Sequence, residues 1–217
     1  LSLGVDGISV AMLLLSCVIV FAGVFASWNM DPLPREYFMW FWLLSTGVFG
    51  FFIAIDLFAM FMFYEVALIP MYLLIGVWGS GNKNYSAMKL TLMLMGASAL
   101  LMLGIIGIYF HSAADGNLTM NILEIAKNNA IPNNWQYFLF PMTFVGFGVL
   151  GAMFPFHTWS PDGHASAPTA VSMLHAGVLM KLGGYGCFRI AIYLMPHAAN
   201  ELAWIFLILT GISVVYG

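Results

Sequence analysis

Leu57–Trp78, LFAMFMFYEVALIPMYLLIGVW, is the stretch that decides the fold. Twenty-two helical residues at about 1.5 Å each rise about 33 Å, enough to cross the hydrocarbon core of a bilayer. Its single charge, Glu65, sits near the middle. A second apolar segment, Ala165–Tyr193, carries Lys181 near its own middle. A charged side chain at the bilayer centre costs roughly 2.5–3.5 kcal/mol on insertion scales, so such residues are rare and functional by default. An acid and a base at membrane depth suggest proton or ion movement.

Composition agrees with a membrane protein. The 217 residues are 62% hydrophobic and only 7% charged, with a mean hydropathy of +0.95. Soluble domains carry about 25% charged residues. The net charge of −3 and the lack of a basic cluster give no reason to expect nucleic acid. Cys17 and Cys187 lie in separate apolar runs without a C-x-x-C spacing, so both read as small core residues.

Seven apolar segments are long enough to span, near residues 4–27, 37–55, 57–78, 87–110, 137–156, 168–194 and from 201 onward. The second and third are joined only at Asp56, which can cap the following helix. All seven tryptophans fall at segment ends or in loops, as an interfacial aromatic belt requires. Arg35, Lys83 and Lys89 against Lys127 and Arg189 place the loops after the first, third and fifth segments on the cytoplasmic or matrix side. In the longest loop, Asn121-Ile122-Leu123-Glu124 reads as a capping box. The short helix it opens could rest Ile122, Leu123, Ile125 and Ala126 on the membrane surface. The fold class is therefore all-α, a single polytopic transmembrane helix bundle over residues 1–217 with about seven helices. Both ends read as cut, which suggests a piece of a longer protein.

Four residues are candidates for chemistry. Glu65 stands five residues before Pro70. Pro70 cannot donate to the Val66 carbonyl, so a kink and a free backbone acceptor fall one turn from the carboxyl. That suits a proton relay, and a structural glutamate bonded to a neighbouring helix is the alternative. Lys181 precedes Gly183-Gly184-Tyr185-Gly186, small residues that let another helix come close. It serves either as a proton-exchanging amine or in a structural ion pair. His175 lies six residues before Lys181, about 9 Å along the helix and about 120° around it, so water must link the two. It reads as a relay or as a hydrogen bond between helices. Lys89, in the first turn of its segment, snorkels to the interface or marks the proton entrance.

Phe154–Pro168, FPFHTWSPDGHASAP, cannot be one continuous helix, because Pro155, Pro161, Gly163 and Pro168 interrupt it. Gly146, Gly148 and Gly151 precede it, so the fifth segment is expected to bend or break near 146–156. Broken helices mark ion paths in transporters. His157, Asp162 and His164 lack further ligands to complete a metal site and read as loop caps. Among the five histidines only His175 is deep, which argues against a haem between facing helices. Neither GxGxxG nor GxxxxGK[ST] occurs, so no nucleotide site is indicated.

Two stretches resemble a known family. FYEVALIPMYLLIGVWG around Glu65 resembles the fifth-helix signature of the antiporter-like subunits of respiratory complex I. FPFHTWSPDGHASAPTAVSMLHAGVLMKLGGYGCFR resembles their seventh-to-eighth-helix signature. Ile69-Pro70-Met71-Tyr72, Trp78-Gly79 and the KLGGYG run place the likeness nearest the M branch. The resemblance covers essentially the whole chain. It implies one half of an inverted-repeat fold, helices three to nine of a longer subunit, in a bacterial inner membrane. It implies that Glu65 is the family's essential glutamate. It implies further that Lys181 relays protons towards a second half, and that Lys89 matches a frequent sixth-helix lysine. NADH, FMN, iron–sulfur clusters and quinone would belong to other subunits, leaving no cofactor on this chain. Its partners would be neighbouring antiporter-like subunits, lipid and protons.

One position departs from the pattern. The family places a lysine seven residues before the histidine of H-x-W-x-P-D, and here that position, counted from His157, is Leu150. Leu150 and His175 fall at roughly matching depths in their helices, so His175 is the candidate to take over the missing titratable group. The reading is a proton-translocating membrane subunit of NADH:quinone oxidoreductase. The rivals are a multisubunit cation/proton antiporter, a membrane-bound hydrogenase subunit, and a scaffold whose charges only lock helices.

Overall fold

The computed structural model describes residues 2–113, 118–128 and 131–216. The described residues form helices: α1 (Gly7–Ala26), α2 (Pro34–Ile53), α3 (Leu57–Trp78), α4 (Lys83–Phe110), α5 (Ile122–Asn128), α6 (Asn133–Leu150), α7 (Trp159–Ser166), α8 (Thr169–Leu174), α9 (Met180–Gly186) and α10 (Pro196–Tyr216). Asp56 starts α3 as expected, its carboxylate accepting from the amides of Phe58 (3.0 Å) and Ala59 (3.2 Å). Five helices, α1 to α4 and α10, are long and apolar enough to span without interruption. The other two expected spans are present in pieces.

The fifth span breaks where its glycines and Pro155 predicted. α6 stops at Leu150, Ala152 takes a left-handed φ of 56°, and a 3-10 turn at Phe156–Thr158 leads into α7. Pro161 and Gly163 do not break the chain again but lie inside α7. Pro161 falls in the first turn, where its missing N–H has no helical acceptor to serve. The sixth span runs as α8, a π-helical turn at His175–Leu179, α9, and a second π turn at Cys187–Ile192.

Packing follows chain order. α2 lies along α3, α3 along α4, and α4 along α6, while α1 rests on α8. A continuous core runs through the bundle, with Phe41, Leu44, Phe51, Met60, Met71, Leu74, Phe147 and Leu182 fully enclosed. At one end the loops pair their backbones. Gly4 N–H donates to Ile53 O and Ile55 N–H to Ser2 O, while Leu57 N–H donates to Met120 O and Ile122 N–H to Ile55 O. These bonds satisfy amides that a membrane-facing bundle cannot leave bare.

α5 differs from the expected surface helix. Ile122 and Ile125 are buried in the core, and Leu123 is exposed. Only half of the capping box forms. Asn121 Oδ1 accepts from the Leu123 amide, whereas Glu124 accepts from the Thr119 hydroxyl instead of reaching back to Asn121. Trp159 departs from the aromatic belt, for it is wholly buried and donates its indole N–H to the Val149 carbonyl at 3.1 Å.

Candidate functional site

Glu65 is half-buried on α3, and its Oε1 is enclosed without a hydrogen-bond partner among the described residues. Tyr64 beside it is buried and donates to the Leu94 carbonyl of α4 at 3.2 Å. Pro70 is buried inside the same helix and removes the donor for the Val66 carbonyl. A bare carboxylate oxygen in a span is costly unless water or a proton reaches it.

His175 opens the first π turn and is fully buried. Neither of its ring nitrogens has a partner among the described residues. Its ring lies between two others, with Trp159 stacked at 5.2 Å and His164 at 4.3 Å between centroids. Gly163 packs close by, where a Cβ would stand 3.1 Å from Leu90 Cδ1 and 3.4 Å from His175 Cε1. His164 Nδ1 meets the Ser172 hydroxyl at 3.0 Å. Sequence reading placed His164 in a capping loop. The structure joins it to His175, a contact between α7 and the π turn for which the sequence carried no spacing signal.

Lys89 does not snorkel freely. Its ammonium pairs with Asp162 Oδ2 at 2.7 Å, tying α4 to α7, and lies over the Tyr85 ring. The Ser86 and Ser166 hydroxyls bond at 2.7 Å beside it. α7 thus carries two separate contacts, Asp162 with Lys89 of α4 and His164 with the buried His175.

Lys181 makes no hydrogen bond to these residues. It is exposed on the face of α9 and donates to the Ala176 carbonyl at 2.6 Å, within the widened π turn. It lines a cleft of about 460 Å³ between α6, α9 and α10, together with Gly148, Gly151, Gly183 and Gly184. Glu65, His175 and Lys181 are not in direct hydrogen-bonded contact. Leu150 lines a cavity of about 10 Å³ with Tyr64, Leu94, Leu179 and Leu182. An apolar space of that size barely admits one water. His175 is not on that cavity and faces α7 instead, so the two positions do not share one place in the bundle. Among the described residues no three histidine, cysteine or acidic side chains converge as metal ligands.

The family model for NADH:quinone oxidoreductase/Mrp antiporter transmembrane subunits matches residues 54–217. The chain belongs to this family. It is similar to NAD(P)H-quinone oxidoreductase chain 4-2 of Synechocystis sp., 36% identical over 100% of this chain and 38% of that protein. It is also similar to NADH-quinone oxidoreductase subunit M of Rickettsia prowazekii, 38% identical over 98% of this chain and 43% of the relative. The chain thus spans about two fifths of the length of these antiporter-family relatives. Its fold matches a chain of respiratory complex I from Thermus thermophilus with bound NADH at a TM-score of 0.87, 23% identity, 99% of this chain and 44% of that one. A chain of the Mrp complex from Dietzia sp. matches at 0.76 and 21% identity, over 94% of this chain and 38% of that one. These two likenesses show the shared all-α antiporter-like fold. The protein is an integral membrane protein of that family.

Proposed function

We propose that this chain is the first half-channel of a proton-translocating subunit of NADH:quinone oxidoreductase in a bacterial inner membrane. The proton path runs from Lys89 and Asp162 through His164 to His175, and by water to Glu65 and Lys181. The observation that supports it is the pair of buried, unpartnered groups, Glu65 Oε1 and the His175 imidazole. Buried polar atoms ordinarily find partners, and exceptions concentrate where function needs them. Lys181, exposed beside a cleft, would pass the proton on to a second half of the subunit. Electron transfer, with NADH, FMN, iron–sulfur clusters and quinone, belongs to other subunits. The drive would reach this chain as a shift in the balance between charged residues.

The test is Glu65→Gln in the full complex in proteoliposomes, with proton pumping and NADH:quinone turnover measured together. Collapse of both with the complex assembled supports the reading. Persistence of both makes Glu65 structural. The alternative is a subunit of a multisubunit cation/proton antiporter, favoured by the family's shared description with Mrp. Pumping that survives without any dehydrogenase subunits would select it.

A further inference from the structure

No polar side chain or backbone group among the described residues holds the ring of His175. Both nitrogens lack a hydrogen-bond partner there, and the residue is wholly enclosed. Its direction therefore comes from the side chains packed against it, and one face of α7 supplies several of them. Trp159 and Gly163 stand four residues apart on that face, with His164 following. The Trp159 indole stacks on the imidazole, centroids 5.2 Å apart and planes 23° from parallel. Trp159 is in turn anchored, since its indole N–H donates to the Val149 carbonyl at 3.1 Å. Val149 lies in the last turn of α6, where the fifth span breaks. The Ala152 amide donates to the same carbonyl at 3.0 Å, so that end of α6 stays capped without the indole. α7 itself is fastened to α4 by the Lys89–Asp162 pair and the Ser86–Ser166 bond, both at 2.7 Å.

We propose that Trp159 is a positioning residue for His175: it ties the imidazole to the broken end of α6, so that both ring nitrogens keep one direction in the bundle. The inference rests on the proton-translocating reading above and extends it to a residue that takes up no proton itself. A proton passes only between groups held within hydrogen-bond reach, directly or through one water. An imidazole without a protein hydrogen bond turns about its side-chain torsions unless its faces are gripped, so the residues that pack on it decide where it points. The indole suits this task. Its rigid plane covers the imidazole, and its one donor is used on a backbone carbonyl rather than on the ring it stacks against. A phenylalanine would cover the imidazole as well but would lack the anchor on Val149. Trp159 thereby connects the end of α6 to the relay across α7.

The test compares two tryptophans in the full complex in proteoliposomes. Trp159→Phe keeps an aromatic ring beside His175 and removes the N–H. Trp78→Phe removes an indole N–H from another carbonyl, that of Pro32 at 2.6 Å, and the ring against it is Tyr37 rather than a histidine. Trp159→Phe is expected to lower the protons moved per NADH oxidised at native subunit content, and to move the pH at which that ratio is half its maximum. Trp78→Phe is expected to change neither. An unchanged ratio in Trp159→Phe overturns the proposal. So does a loss that only tracks subunit content, an equal loss in Trp78→Phe, or a lowered ratio whose pH profile keeps its native position, since each makes the indole a structural tie. If His175→Leu abolishes pumping while Trp159→Phe does not lower it, this proposal alone fails. If both variants pump at the native ratio, the relay through His175 fails with it.

Discussion

The imidazole of His175 lies face to face with that of His164, centroids 4.3 Å apart and planes 24° from parallel. His175 is wholly enclosed, while His164 is half-buried and bonded to Ser172. The pair therefore joins a group that solvent can reach to one that it cannot. Replacing His175 with leucine removes two buried, unpartnered nitrogens and keeps most of the volume. Exchanging an unsatisfied polar group for an apolar one is near neutral for stability. His175→Leu is expected to assemble normally and to lose proton pumping, checked by subunit content and by proton stoichiometry in the same vesicles. Unchanged stoichiometry would exclude His175 from the path.

Local signals in the sequence located most of the elements. Asp56 marks the start of α3 because a cap acts within three residues. The glycines before Pro155 located the break because they weaken a helix wherever they occur. The partner of Lys89 was not legible, since Asp162 is 73 residues away and is brought near only by the packing of α7 on α4. The π turns carry no residue signature of their own, so the facing of His175 and the exposure of Lys181 could not be read from a regular 100° period. Trp159 resembled a belt residue because it sits near a segment end, and only the tertiary packing around the start of α7 buries it, with its indole N–H on the Val149 carbonyl. Ile122 and Ile125, three apart, did signal an apolar face, but the surface that covers it comes from distant helices.

Leu150 closes the small cavity shared with Tyr64, Leu179 and Leu182. Leu150→Ala enlarges that space in a region the surrounding helices fill tightly. A loss of about 2–5 kcal/mol is expected for such a truncation, read as a lower melting point in detergent. Leu150→Lys puts an ammonium where no carboxylate lines the cavity, and is expected to destabilise more than alanine does. A well-tolerated lysine would show that the Glu65 carboxyl can swing within reach of this position.

Gly183 and Gly184 are neighbours with opposite tolerances. A Cβ on Gly183 would stand 2.5 Å from both the Gly151 amide nitrogen and the Phe147 carbonyl oxygen, backbone atoms at the end of α6. These cannot shift without moving α6, so Gly183→Ala is expected to separate α6 from α9 and lower the amount of assembled protein severalfold. A Cβ on Gly184 meets nothing within 4 Å. Gly184→Ala is expected to leave assembly at the native level, measured by subunit content after purification. Equal effects at the two positions would mean that α9 does not lie this close to α6.

Asp6 stands just ahead of α1, outside the spanning segment. Burial raises its pKa, but the Ser9 amide and hydroxyl and the Arg189 guanidinium outweigh that, so the carboxyl titrates below its ordinary value of 3.8. A carboxyl with a depressed native pKa adds stability that is fully present above the unfolded value and is lost as pH falls through the native one. The attachment of α1 to the Arg189 end of the bundle is therefore expected to hold constant from neutral pH down to about 5, and to weaken only below about 4. Amide exchange at Ser9 and Val10, corrected for the intrinsic pH dependence, should report this. Asp6→Asn should exchange faster at neutral pH and show no further change on acidification. An acid-induced loosening that persists in Asp6→Asn would place the responsible carboxyl elsewhere on this face.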